Sequence, residues 1–347
     1  MSETKEAILN RMLSNINNEF DKSEGSFFYD AEMPVAIQLE KLDIKAEAIL
    51  NNGFADTATG VYLDKVANEQ GVYRKPATKS SGIVIVTGVS GATISKGEIV
   101  ASDNVNFVFV KDAIIPISKT IEVQVECEEV GVIGNVPAGA IKYFPKTLEG
   151  LQTVTNAVAF TNGYDAESDE ELRGRYYTKV RTPTTSGNKY HYLNWCKEVT
   201  GVGDARVLPL WNGNGTVKCI IINSNKRAAD ISLISSVSNY IEENRPIGAD
   251  VTVVSANEKP INISVTLISD NNNYTLEQVK ASIESNLTNY FKSVAFKDNY
   301  ISFAKVGNII IDSTGVLDYS DLKINDGTSN ILIEDDEVAV LGGVTIE

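Results

Sequence analysis

Apolar positions recur with a helical period through the first 80 residues. Ile8, Leu9, Met12, Leu13 and Ile16 share one helical face, and Val35, Leu39, Leu42, Ala46 and Ile49 follow at spacings of four, three, four and three. Pro34 is placed to open that second helix, and Gly53 follows its end. A third, short helix is expected from about Val61 to Gln70, stopped by Gly71. The stretch Asp21 to Ser26 is polar, and no large apolar segment closes a core over residues 1–80. Two readings stay open: these helices pack against another subunit, or they cover sheets further along the chain.

From Ser81 to about Val158 the period falls to two. Ile121, Val123, Val125 and Cys127 alternate with Glu122, Gln124, Glu126 and Glu128, the pattern of a half-buried antiparallel strand. Breaks at Gly88, Gly91, Gly97, Gly131 and Gly134 divide the region into several strands and predict a small β-domain over 81–158, with Cys127 inward. The helical period returns near Ala166, where Ser168 to Glu171 reads as a capping box. A second helix is expected from roughly Gly187 to Val199, strands flank the hairpin signal Asn212 to Gly215, and a helix near Ala228 to Glu243 precedes a strand from Asp250 to Val254. These elements make a central α+β domain over 159–256. Over 257–347 the pattern gives a strand from Ile261 to Ile268, a helix opened by a capping box at Thr275 to Gln278, and a helix from about Ile301 to Ile311. The fold class is therefore multidomain α+β: N-terminal helices, a small antiparallel β-domain, then two α+β units. Thr314-Gly315-Val316-Leu317-Asp318 echoes Thr200-Gly201-Val202-Gly203-Asp204, so the last two units read either as a diverged repeat or as convergent turn chemistry.

Size and charge narrow the function. A chain of 347 residues suggests two to four compact units, and 43% hydrophobic residues suffice to fill them. A net charge of −15 argues against gripping nucleic acid, which needs clustered Lys and Arg. The start of the chain lacks a signal-peptide pattern, and no apolar run approaches a membrane span, so assembly in the cytoplasm without a membrane anchor is expected. Cys127, Cys196 and Cys219 are odd in number and form no C-x-x-C pair, which points to buried reduced thiols.

The search for chemistry finds no catalytic, cofactor or metal site. Asp165, Glu167 and Asp169 copy the first three carboxylates of a calcium loop, but Glu170 stands where the loop needs glycine and Tyr176 where it needs the bidentate acid. His191 is the one histidine, lies on an expected helix and has no nucleophile elbow to serve. Cys196, five positions on, is off its helical face, so a zinc site is not formed locally. No phosphate loop and no G-x-G-x-x-G opens a helix. Trp195 and Trp211 read as packing or interface anchors, and Arg173 with Arg175 as a salt-bridging surface or a subunit contact.

Three dense motifs stand in order between Thr161 and Thr216: NGYDAESDEELRGRY, SGNKYHYLNWCKEV, and TGVGDARVLPLWNGNG followed by Thr216. Weaker segments are GVYLDKVANEQGVYRK at Gly60 to Lys75, GNVPAG at Gly134 to Gly139 and RPIGADVTV at Arg245 to Val253. Their order and spacing resemble the baseplate J-like family of contractile phage tails, up to about Asn257. The resemblance implies a structural wedge subunit with no enzymatic role and no cofactor, in an infectious phage, a phage-tail-like bacteriocin or another contractile injection system. It implies that two copies join a different wedge protein through a shared bundle of N-terminal helices. Six such wedges would ring a central hub, touch sheath-proximal and fibre-bearing proteins, and relay the contraction trigger by repacking. The protein would then be assembled in the bacterial cytoplasm and released in the tail baseplate of a virion or tail-like particle. The candidate interface is Ile8, Leu9, Met12, Leu13, Val35, Leu39, Leu42 and Ile49. A tail-associated cell-wall hydrolase and a host-binding adhesin are the competing classes.

Overall fold

A computed structural model describes residues 2–182, 185, 187–270 and 272–346, and divides them into two compact units. The first unit comprises Met1–Arg74 and Ser168–Val180. It holds α1 (Lys5–Ser14), α2 (Phe27–Asn52), α3 (Gly60–Glu69) and most of α4 (Asp169–Arg181). The segmentation read from the sequence put α4 in the region 159–256, whereas its side chains complete the packing of residues 55–72. Leu172, fully buried, sits among Ala55, Ala58, Leu63, Ala67 and Val72. Leu172 completes this cluster from a segment distant in sequence, a contact that has no local sequence signal.

Helix α2 begins at Phe27, not at Pro34, and Pro34 lies inside it. Ser26 caps the helix by accepting from the Tyr29 N–H at 3.3 Å. Pro34 forfeits one backbone hydrogen bond, but the turn before it is fixed by Phe28, Tyr29 and Met33 packing against α1. Tertiary contact has extended the helix back beyond the proline read as its start.

The second unit, Lys75–Glu167 with Arg181–Glu347, holds the sheets. In its β-domain, β1 (Lys79–Gly88), β3 (Ile99–Ala101), β4 (Asn106–Phe109), β6 (Thr120–Val130) and β7 (Leu151–Thr155) form one antiparallel sheet in the order β3-β4-β6-β1-β7. The short strands β2 (Thr93–Ile94) and β5 (Ala113–Ile114) pair separately. Strand β6 buries Val123, Val125 and Cys127, the alternation read from its sequence, against Val84, Val86, Phe107, Phe109 and Phe160. Gly82 leaves room for the Phe160 ring, which meets Phe107 edge-on at 5.6 Å between centroids.

The central α+β domain follows as α5 (Lys189–Glu198), β8 (Val202–Pro209), β9 (Thr216–Asn223), α6 (Ile231–Asn244) and β10 (Asp250–Ser255). Strand β9 lies in the middle, antiparallel to β8 and parallel to β10. A middle strand covered on both faces explains the unbroken apolar run Cys219 to Ile222. Cys219 and Ile221 face Tyr192, Cys196, Val237 and Ile241, while Ile220 and Ile222 meet Ala256, Ala295 and Val338. All three cysteines are free and buried. A hydrogen bond with the Cys219 thiol, and burial, push the Cys196 thiol well above its usual range.

The C-terminal domain contains β11 (Asn257–Ser269), α7 (Leu276–Val294), β12 (Tyr300–Ile301), α8 (Phe303–Ile311), β13 (Val316–Ile324), β14 (Ile331–Leu332) and β15 (Glu337–Ile346). Its main sheet has the order β13-β11-β15, and β12 pairs with β14. Val279, Ile283, Leu287 and Phe291 of α7 pack on Ile261, Ile263 and Val265 of β11. The Thr275–Gln278 capping box is formed. Only Ala256 separates β10 from β11, and its N–H still donates to Ile221 O at 3.0 Å. One extended run therefore serves as a flanking strand of the central sheet and the middle strand of the next.

Candidate assembly surface

Helix α1 has 10 residues, too few for an isolated helix to persist, so its stability comes from packing on α2. Ile8, Leu9 and Leu13 are buried against Ala36, with Met12, Phe28, Tyr29 and Met33 around them. Two α2 carboxylates secure the other end: Glu40 Oε1 accepts from the Lys5 N–H at 2.9 Å and Glu47 Oε2 from the Ser2 N–H at 3.0 Å. They satisfy free amides at the positive end of the α1 dipole.

The 26-residue α2 has a second apolar face that α1 leaves open. Val35, Leu39, Leu42 and Ile49 are 45%, 38%, 58% and 74% exposed. With Ala46 they repeat at the alternating four and three spacing of a coiled-coil seam. Of the eight interface candidates, Ile8, Leu9, Met12 and Leu13 thus pack inside the α1–α2 hairpin, and Val35, Leu39, Leu42 and Ile49 face solvent. Leu50 and Phe54, each 62% exposed, extend the apolar surface, and the heptad reading passed over them because they lie off its a and d positions.

Helix α4 ties the rest of the first unit together. Ser168 and Glu171 form the reciprocal capping box, with Ser168 Oγ accepting from the Glu171 N–H and Glu171 Oε2 from the Ser168 N–H, both at 3.3 Å. Asp169 accepts from the Gly60 N–H at 2.9 Å and from Arg74 Nη2 at 2.6 Å. The Gly60 amide first, then Arg74, holds its carboxyl below the usual range. Arg173 donates to Ala55 O and Ala58 O at 2.6 and 2.8 Å, and Arg175 to Tyr73 O at 2.5 Å. Both arginines therefore cap chain carbonyls inside the unit.

The residues considered for chemistry do not converge. Asp165 Oδ1 accepts from the Val132 N–H and Glu167 Oε2 from the Lys75 N–H, so with Asp169 each acid of the calcium-like string serves a different amide. Among the described residues no group of three or more His, Cys, Asp or Glu could hold a metal ion. His191 Nδ1 accepts from the Gly187 N–H at 3.0 Å, and its ring stacks on Trp195 at 5.0 Å. Among the described residues no helix is long and apolar enough to cross a membrane.

Helices followed by an antiparallel β-domain and two α+β domains define a multidomain α+β protein with an unpartnered apolar helix face. Three family profiles cover most of its sheets: the Baseplate J-like protein barrel domain at residues 83–163, the Baseplate J-like central domain at 184–255 and the Baseplate J-like protein C-terminal domain at 261–347. The chain belongs to the baseplate J-like family. It is 40% identical to the uncharacterized protein YqbT of Bacillus subtilis, over 99% of this chain and 97% of that one. It is 38% identical, with the same coverage, to the phage-like element PBSX protein XkdT of the same organism. To the baseplate protein gp47 of Escherichia phage Mu it is 30% identical, over 55% of this chain and 57% of that one.

Proposed function

We propose that this protein is a structural wedge subunit of the baseplate of a contractile tail or tail-like injection particle. The observation that carries the reading beyond family membership is the open seam of α2. An apolar stripe at heptad spacing, backed by a helix that already covers the opposite side, is suited to bury itself against further helices. The occupants we assign are the equivalent helix of a second copy and a helix from a different wedge protein. Six such wedges would ring a hub and touch sheath-proximal and fibre-bearing proteins. The contraction trigger would pass as a change between discrete packings of these interfaces.

Immunogold electron microscopy of particles released by the producing cells, with antibody to this chain, tests the reading. Label confined to the tail end distal to any head is expected, with roughly two copies per wedge by quantitative mass spectrometry. Label on fibres, or none on particles, would overturn it.

A further inference from the structure

Strand β8 is an edge of the central sheet: β9 pairs with one side of it, and among the described residues no strand pairs with the other. The ladder fixes which groups the open side presents. Arg206 and Leu208 stand opposite Ile220 and Lys218, and in the same two-residue step the Leu210 N–H donates to Thr216 O at 2.7 Å. These even-numbered residues direct their N–H and C=O groups to β9, so Ala205, Val207 and Pro209 direct theirs outward. Two of the three outward positions offer no amide, because the Ala205 N–H donates to Asp204 Oδ1 at 2.8 Å and proline has none to give. The open edge therefore presents the carbonyls of Ala205, Val207 and Pro209 and the single amide of Val207.

Both ends of β8 are blunted, one by the register irregularity between Val202 and Asp204 and the other by Pro209. The middle is not, and a cleft of about 320 Å³ runs along it with residues 205–208 as its floor. Tyr190 and Leu193 of α5 stand on one side and Asp335 on the other. Ala205 and Val207 face the core beneath α5 while Leu208 packs with Phe296 on the opposite face, so the cleft straddles the strand edge. An extended chain matches such a site, since its backbone continues the ladder and its alternate side chains meet the walls. A second β8 does not match. Two such edges meeting antiparallel about Val207 would exchange one pair of bonds there, and the Ala205 and Pro209 carbonyls of both would lose water without gaining a donor. Charge makes no choice of occupant. Arg206 and Asp335 pair at 3.3 Å, and Lys189 lies 5.3 Å over the Tyr190 ring.

We infer that β8 receives a further strand, a proline-free extended segment of a different protein of the same particle, which donates its amides to the open carbonyls and sets an apolar side chain between Leu193 and Val207. The inference rests on the baseplate reading. A photoreactive benzoylphenylalanine placed at Lys189, on the rim of the cleft, in the full-length chain in producing cells tests it, with the same group at the exposed Val158 as control. The expected result in released particles is one dominant adduct, absent from the control, to a different particle protein through a segment without proline. Val207→Pro removes the one outward amide and leaves the bonds to β9 in place, and Tyr190→Asp puts a carboxylate on the cleft wall in the first turn of α5, where acids are favoured. Each should keep the melting temperature and lower the adduct yield by roughly tenfold or more. Should Val207→Pro melt earlier, Tyr190→Asp decides. No adduct above the control from a chain that is present in particles, an adduct to a second copy of this chain, or an undiminished adduct from a variant that keeps its melting temperature would each overturn the added strand alone. Absence of the chain from particles would instead remove the baseplate reading and the added strand with it.

Discussion

Replacing Leu39 and Leu42 of α2 with Asp should abolish association through the seam and leave the monomer folded. The exposed parts of Val35, Leu39, Leu42 and Ile49 leave on the order of 350 Å² of apolar surface per chain to bury, about 9 kcal/mol at about 25 cal/mol per Å². Association entropy and side-chain ordering consume much of that, so the margin is narrow. Each leucine lost forfeits about 1.5–3 kcal/mol of burial, and each carboxylate placed in the seam adds a further desolvation cost of about 1–3 kcal/mol. The double variant therefore loses at least about 4 kcal/mol of association, on the order of a thousandfold in dissociation constant. Its monomer should keep its melting temperature, because neither side chain belongs to the buried set of α1 and α2. Light scattering behind a sizing column, with the wild type in parallel alone and with its co-expressed partner, reads the outcome. Unchanged association would refute the seam. Loss of association together with a lower melting temperature would show that these leucines stabilise the chain itself.

Asp169, with its folded value depressed below the ordinary 3.8 by Gly60 and Arg74, contributes stability that is present above that value and lost as pH falls below it. The fall in melting temperature between about pH 6 and about pH 3 should accordingly be smaller in Asp169→Asn than in the wild type. Leu172→Ala should cost about 2–5 kcal/mol, read by denaturant unfolding as an earlier loss of helical signal with the sheet signal retained. Gly82→Ala would place its Cβ 2.1 Å from Phe160 Cε1 and should destabilise the β-domain by about 1–3 kcal/mol, measured as a lower unfolding midpoint of the sheet signal.

What the sequence made legible was whatever a single element decides. The alternation of Val123, Val125 and Cys127 and the caps at Ser168 and Thr275 report local burial or local hydrogen bonding, the stripe of α2 reports a helical period, and the structure has each of them. What it hid was decided between elements. Pro34 falls inside a helix because α1 packs on the preceding turn. Leu172 looks like any helical leucine until its packing among Ala55, Ala58, Leu63, Ala67 and Val72 is seen. The candidate surface divided for the same reason. Ile8 and Leu9 have the same apolar character as Leu39 and Leu42, and only the pairing of α1 with α2 decides which set stays open. Exposure of Leu210 and Ile247 had no signal in periodicity at all, since both stand in turns.

The single residue between β10 and β11 makes the parity of the chain a structural constraint. Val251 and Val253 face the core of the central domain, and Ile261, Ile263 and Val265 face α7, so residues of odd number point inward on both sides of Ala256. Because side chains alternate along an extended chain, deleting or inserting one residue at Ala256 would turn Ile261, Ile263 and Val265 to the opposite face of their sheet while β10 stayed in place. A two-residue change would keep the faces and shift only the register with β13 and β15. Length variation at this junction should therefore be tolerated in pairs, and a peptide linker cannot be introduced there as it could at a loop.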